Sequence, residues 1–146
     1  MRCVERNENA RRLNIVGSTV SHVLDTSALI AYLVAEAGAD HVQAIYKQSA
    51  LPFIVLTELF YLTWQRQGPL VAQETYTHVR GWQLPILFPD EQTILKAGEL
   101  RATYHLSIAD SYIAAFALIA KAILVTKDPD FNLLAPELKL LQLARR

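Results

Sequence analysis

His22-Val23-Leu24-Asp25-Thr26-Ser27-Ala28-Leu29-Ile30 decides how the rest of the chain is read. A short apolar run ends in an acid, two hydroxyl residues follow, and Leu29, Ile30, Leu33 and Val34 recur at helical spacing. This predicts a strand that passes directly into a helix capped by Thr26 or Ser27. Gly38 is the expected helix stop.

The same grammar repeats downstream. A helix is predicted from Asp40 to Gln48, then a strand Pro52-Phe53-Ile54-Val55-Leu56. Thr57 is expected to cap a helix from Glu58 to Gln67, which Gly68-Pro69 stops. Another helix is expected over 70–81, then a strand over 84–88 held to a sheet edge by Pro85 and Pro89. Asp90 caps a helix reaching Tyr104, and Ser107 caps one reaching Ala120. A strand follows from Ala122 to Thr126, then the turn Asp128-Pro129-Asp130, with Leu138 to Leu143 as a last strand or helix. Short β-rich runs alternating with helices predict an α/β fold around a parallel sheet with right-handed crossovers.

Chemistry is carried by acids at equivalent places. Asp25 ends the first strand, Glu58 opens the helix after the second, Asp110 lies in the first turn of the Ser107 helix, and Asp128 follows the strand ending at Thr126. Each alone has an ordinary structural use: Asp25 as a cap, Glu58 on a helix dipole, Asp110 in the Ser-x-x-Asp capping pattern, Asp128 in a turn. Asp25, Glu58 and Asp128 are expected at the carboxyl ends of parallel strands, where open sheets bind ligands, and Asp110 joins them if its helix starts beside the same crevice. Carboxylates gathered there repel one another and must take up protons or a cation. An all-oxygen donor set favours Mg²⁺ or Mn²⁺, which polarises a phosphoryl oxygen and activates water for phosphodiester hydrolysis.

Bulk properties set bounds. The 146 residues suit one domain, expected over 21–146, with residues 1–20 expected as a polar, flexible extension outside it. The apolar fraction of 52% is enough for a self-sufficient core and leaves some surface for a partner. Formal net charge is zero, so any positive charge for nucleic acid must be local. The single Cys3 leaves no internal disulfide and no Cys-based zinc site, which fits a reducing cytoplasm. No secretory signal and no apolar run of membrane-spanning length is visible, so a soluble cytoplasmic protein without membrane contact is expected.

Val23-Leu24-Asp25-Thr26-Ser27-Ala28-Leu29 resembles the opening motif of PIN domains, and Thr57-Glu58-Leu59 the second. Leu106-Ser107-Ile108-Ala109-Asp110-Ser111-Tyr112-Ile113-Ala114-Ala115 resembles the third, and Leu124-Val125-Thr126-Lys127-Asp128-Pro129-Asp130-Phe131 the fourth. The likeness runs from about Val20 to Leu143. It implies a three-layer α/β/α sandwich with a mostly parallel central sheet, and Mg²⁺- or Mn²⁺-dependent RNA cleavage. Its compact form resembles VapC-type toxins, which implies an RNA substrate, a homodimer and an inhibiting antitoxin protein. By the same resemblance Asp25 and Asp110 are the expected metal ligands, and Glu58 and Asp128 complete the set directly or through water. Thr126 and Ser27 are accessory hydroxyls, and Asp130 an accessory acid.

Lys127, beside Asp128, is a candidate phosphate contact. Arg66, Arg80, Arg101 and His105 are weaker candidates for such a contact. Phe60, Tyr61 or Trp64 is expected to reach a dimer or antitoxin surface, because that helix is apolar on most faces. Two alternatives stay open: a non-catalytic binding module on the same fold, and a phosphatase with Asp25 as nucleophile. The second typically wants another acid two residues on, where Ser27 stands.

Overall fold

The structure is a computed structural model that describes residues 20–145. The expected extension lies outside the described residues up to residue 19; Val20 packs against the core.

The first strand, β1, spans His22–Leu24, and helix α1 follows over Thr26–Leu33. Helix α2 covers Ala39–Ile45, and a tight 3₁₀ turn over Tyr46–Gln48 leads into β2, Ser49–Pro52. Helices α3 (Phe53–Gln67) and α4 (Pro69–Arg80) precede the short β3, Ile86–Leu87. Helices α5 (Glu91–Tyr104) and α6 (Ile108–Ala120) lead to β4, Ile123–Thr126. A 3₁₀ segment, Pro129–Leu134, then precedes β5, Leu140–Gln142.

All strands run parallel in the order β3-β2-β1-β4-β5. The path moves one way from β1 through β3 and the other way from β4 to β5. Right-handed crossovers therefore place α1 to α4 on one face and α5 and α6 on the other, which makes the expected three-layer sandwich. The order reverses between β1 and β4, so the crevice at their carboxyl ends is the switch point.

The central strands are covered on both sides, which is why they read as unbroken apolar runs. Val23, Leu24, Ala50, Leu124 and Val125 are fully buried. On α6, Ala114, Ala115 and Ala117 are buried with Ile113. Their small side chains let this helix lie close to the sheet and hold Asp110 near the crevice. Among the described residues no helix is long and apolar enough to cross a membrane.

Several boundaries differ from expectation. The second strand is Ser49–Pro52, not 52–56, and Phe53-Ile54-Val55-Leu56 is the first turn of α3. A short β-branched apolar run looks the same in a buried strand and a buried helix. Here Val55, Leu56 and Leu59 bury one helical face, and that packing decides the outcome. Thr57 is consequently an exposed residue within the helix rather than its cap. The cap of α1 is Asp25 itself, not Thr26 or Ser27. Gly38 does not close α1; it opens α2 at φ 96°, where a Cβ would come within 3.0 Å of Leu143. Asp90 and Ser107 cap their helices as expected, and the last segment resolves as a strand.

Ile113, fully buried in the layer beneath the sheet, is a direct check on this packing. Ile113→Ala should lower unfolding free energy by about 2–5 kcal/mol. Urea denaturation should show this as a lower midpoint with an unchanged slope.

Candidate active site

The site starts from the hydrogen bonds of one buried carboxylate. Asp25 leaves β1 with only 4% of its surface exposed. Its Oδ2 accepts from Thr126 Oγ1 at 2.6 Å and from Ser27 Oγ at 2.8 Å. Its Oδ1 accepts from the Thr26 backbone N–H at 2.7 Å. A carboxylate has about four acceptor sites, so the two hydroxyls fill Oδ2 and leave a free lone pair on Oδ1.

The hydroxyls pass the order onward. Thr126 Oγ1 accepts from the Asp128 N–H at 2.9 Å, and Ser27 Oγ accepts from the Lys127 N–H at 2.9 Å. The Asp25 N–H in turn donates to Val125 O at 3.0 Å. These bonds join the ends of β1 and β4 and fix the chain that carries Asp128. Asp128 caps the next segment by accepting from the Asp130 N–H at 2.9 Å.

Glu58 arrives by a different route. Because α3 begins at Phe53, Glu58 lies in the second turn, beyond the first-turn dipole position expected for it. Its Oε1 accepts from Thr26 Oγ1 at 2.8 Å. Thr26 is buried, and its hydroxyl is a link to Glu58 that sequence reasoning missed. The only signal was its place in the Asp25-Thr26-Ser27 run, where a hydroxyl reads as a cap. Asp110, in the first turn of α6, has its backbone N–H bonded to Ser107 Oγ at 3.1 Å.

Electrostatics links the four acids. Burial pushes the Asp25 carboxyl up; its three hydrogen bonds oppose this, and the Asp128 charge adds to it. Burial also raises Glu58, opposed by the Thr26 hydroxyl and reinforced by Asp25. Asp110 is pushed up to about 6, first by burial and then by the charges of Asp25, Asp128 and, least, Glu58. The charges of Asp25, Asp128 and Glu58 thus make ionisation of a neighbouring acid harder, as expected of clustered like charges.

The donor set fits a hard divalent cation, since every group is a carboxylate or hydroxyl oxygen. Among the described residues no three His, Cys, Asp or Glu side chains are grouped tightly enough to close on an ion. Mg²⁺ keeps several waters and is commonly held through one or two carboxylates, so it does not require such a group.

The other candidates divide. Ser27 and Thr126 are within the network. Asp130 is exposed and joins only through its backbone N–H. The ammonium of Lys127 lies 3.3 Å from Glu36 Oε2, so it is engaged by a carboxylate. Arg101 donates to Leu106 O. His105 is exposed at the left-handed end of α5. Tyr61 and Trp64 are exposed on α3.

Fold and site together define an α/β protein with a carboxylate cluster at the switch point of a parallel sheet. The PIN domain family model matches residues 22–135, most of the chain, and the chain belongs to this family. No curated protein matches it by sequence.

Solved structures are similar in fold. VapBC2 from Rickettsia felis, bound to a promoter DNA fragment, is 22% identical with a TM-score of 0.68, covering 86% of this chain and 100% of that one. DNA-bound VapBC from Salmonella typhimurium is 18% identical with a TM-score of 0.70, covering 84% and 98%. VapBC-5 from Mycobacterium tuberculosis, of the VapBC family of toxin-antitoxin systems, is 20% identical with a TM-score of 0.63, covering 84% and 98%.

The repulsion has a definite sign in stability. Asp110 has a raised native pKa, so its contribution to folding is fully present below about 3.8 and is lost as pH rises through about 6. Asp110→Asn removes that titration. In metal-free buffer the melting temperature of the variant should therefore gain on the wild type between pH 4 and pH 7. Millimolar Mg²⁺ at pH 7 should narrow the gap by stabilising the ionised wild type.

Proposed function

We propose that this chain is a Mg²⁺- or Mn²⁺-dependent endoribonuclease, the toxin of a toxin–antitoxin pair acting in the cytoplasm. The observation that carries the reading is the gathering of Asp25, Glu58, Asp110 and Asp128 at the switch point, where burial first and neighbouring charge second push up the carboxyls of Asp25, Glu58 and Asp110. A cluster that raises its own pKa values opposes its own ionisation, and a cation relieves it.

Asp25 and Asp110 are the residues we assign as direct ligands, with Glu58 and Asp128 direct or through water. When bound, the ion polarises a phosphoryl oxygen and lowers the pKa of a water. The chain's own part is to hold the oxygens in place. Ser27 and Thr126 fix Asp25 Oδ2 so that Oδ1 offers the remaining lone pair. Thr26 anchors Glu58 against rotation. Burial of Asp25 keeps its field from being screened by water.

The toxin role and an antitoxin partner are supported by the fold-level likeness to the VapBC structures. A groove of about 430 Å³ between α1, α3 and α4, with an apolar side at Ile30, Leu33, Val34, Leu59 and Leu62 and a polar side that includes Arg66, Glu74 and His78, offers a seat for such a partner. Exposed Trp64 and Tyr61 on α3 supply anchors for an antitoxin or a second copy in a homodimer.

The purified chain should cleave single-stranded RNA with Mg²⁺ or Mn²⁺ and stop in EDTA. Asp25→Asn and Asp110→Asn should each lower the rate by at least about a hundredfold, with circular dichroism unchanged. Full activity in either folded variant rejects the mechanism.

A further inference from the structure

The row of acids continues, across the same edge of the sheet, into a row of aromatic rings. Val23 pairs with Ala50, Leu24 with Val125, and Pro52 with Leu87. Carried forward in register, Thr126, Asp25, Pro52 and Leu87 stand side by side at the carboxyl edge. Phe53 and Phe88 follow one residue beyond Pro52 and Leu87. Strands lie about 4.8 Å apart, so Phe88, two strands from β1, is on the order of 10 Å from Asp25.

The rings form a connected ledge. Phe53 and Phe88 are near-parallel, with centroids 6.4 Å apart and planes 22° apart. Phe53 also meets Tyr112 edge-on at 5.6 Å, and Tyr112 is two residues from Asp110 on α6. Phe88 is 65% exposed, so folding leaves most of its apolar surface in water. Beneath it is a groove of about 440 Å³, lined among others by Phe53, Phe60, Tyr76, Phe88 and Arg80. Arg80 Nη1 donates to Tyr76 Oη at 3.2 Å, and its guanidinium lies 6.0 Å from that ring's centroid. Among the described residues no carboxylate pairs with Arg80.

We propose that the Phe53–Phe88 ledge, with Arg80, is a stacking site for unpaired bases of an RNA strand whose backbone crosses the acidic edge. The proposal rests on the ribonuclease reading above and names the form of substrate that site takes. An acidic edge on a chain of zero net charge repels phosphate and needs affinity from elsewhere. Base stacking on exposed rings supplies affinity without net charge and tolerates any sequence, and one adjacent guanidinium holds a phosphate. The ~10 Å offset corresponds to about three stacked nucleotides at ~3.4 Å each. A duplex keeps its base faces covered and gains nothing from the ledge.

The test uses the full chain with Asp110→Asn, in EDTA, so that binding is read without cleavage. The probes are fluorescein-labelled decauridine and the same strand paired with decaadenosine, followed by anisotropy. The single strand should bind better than the duplex. Adding Phe88→Ala should weaken single-strand binding at least about fivefold, Phe88→Trp should keep it, and Arg80→Gln should lower the salt slope by about 0.7.

Absent single-strand binding, equal binding by Phe88→Ala, or preference for the duplex overturns the proposal. So does a Phe88→Ala variant that turns a dimer into monomers at unchanged RNA affinity, which would assign the ledge to a protein contact. Cleavage by the wild type, measured in parallel with Mn²⁺, separates the two readings. Phe88-dependent binding without any cleavage removes the nuclease and leaves the ledge; cleavage indifferent to Phe88→Ala removes only the ledge.

Discussion

Two hydroxyls donating to one oxygen of Asp25 join parts of the chain about a hundred residues apart. Thr126 reaches across the β1–β4 junction to Asp25 Oδ2, and Ser27 reaches the same atom from the first turn of α1. The same hydroxyls then accept the backbone N–H groups of Asp128 and Lys127. The strand ends, the start of α1 and the turn after β4 are thereby held as one unit. A buried acid without these donors would be far more costly, because desolvation penalises the charge and nothing would return the lost hydrogen bonds. Even with them, burial wins and the carboxyl stays above its ordinary range.

That unfavourable balance gives the site its character. Three of the four acids have raised pKa values, and in each case burial is the leading cause. A fold selected only for stability would replace such groups with apolar ones. Their accumulation at the switch point therefore points to use rather than to packing. Elsewhere the chain is conventional: among the described residues no buried side-chain nitrogen or oxygen lacks a partner. At this edge burial and like charge oppose ionisation, and a bound cation would offset that.

Neighbouring features of the edge follow from the β2–α3 junction. Pro52 ends β2, and α3 starts at Phe53. This puts Phe53 at the rim beside Phe88 and turns Glu58 inward from the second helical turn, where Thr26 meets it. One boundary thus sets both the last acid of the cluster and the inner ring of the proposed ledge. Had the helix begun at Glu58, its carboxylate would have served the helix dipole.

Local chemistry in the sequence was enough to read the alternation of strands and helices, the caps at Asp90 and Ser107, and the acids at Asp25, Asp110 and Asp128. Capping, turn formation and apolar runs depend on residues close in the chain, so they leave a local trace. The limits of β2 and α3 left none, since Phe53-Ile54-Val55-Leu56 suits either state until a partner surface selects one. Nor could sequence show that Thr26 holds Glu58, that Glu36 engages Lys127, or that Phe53 and Phe88 lie side by side. Those contacts join residues dozens of positions apart, and only the packing of strands in the order β3-β2-β1-β4-β5 brings them into reach.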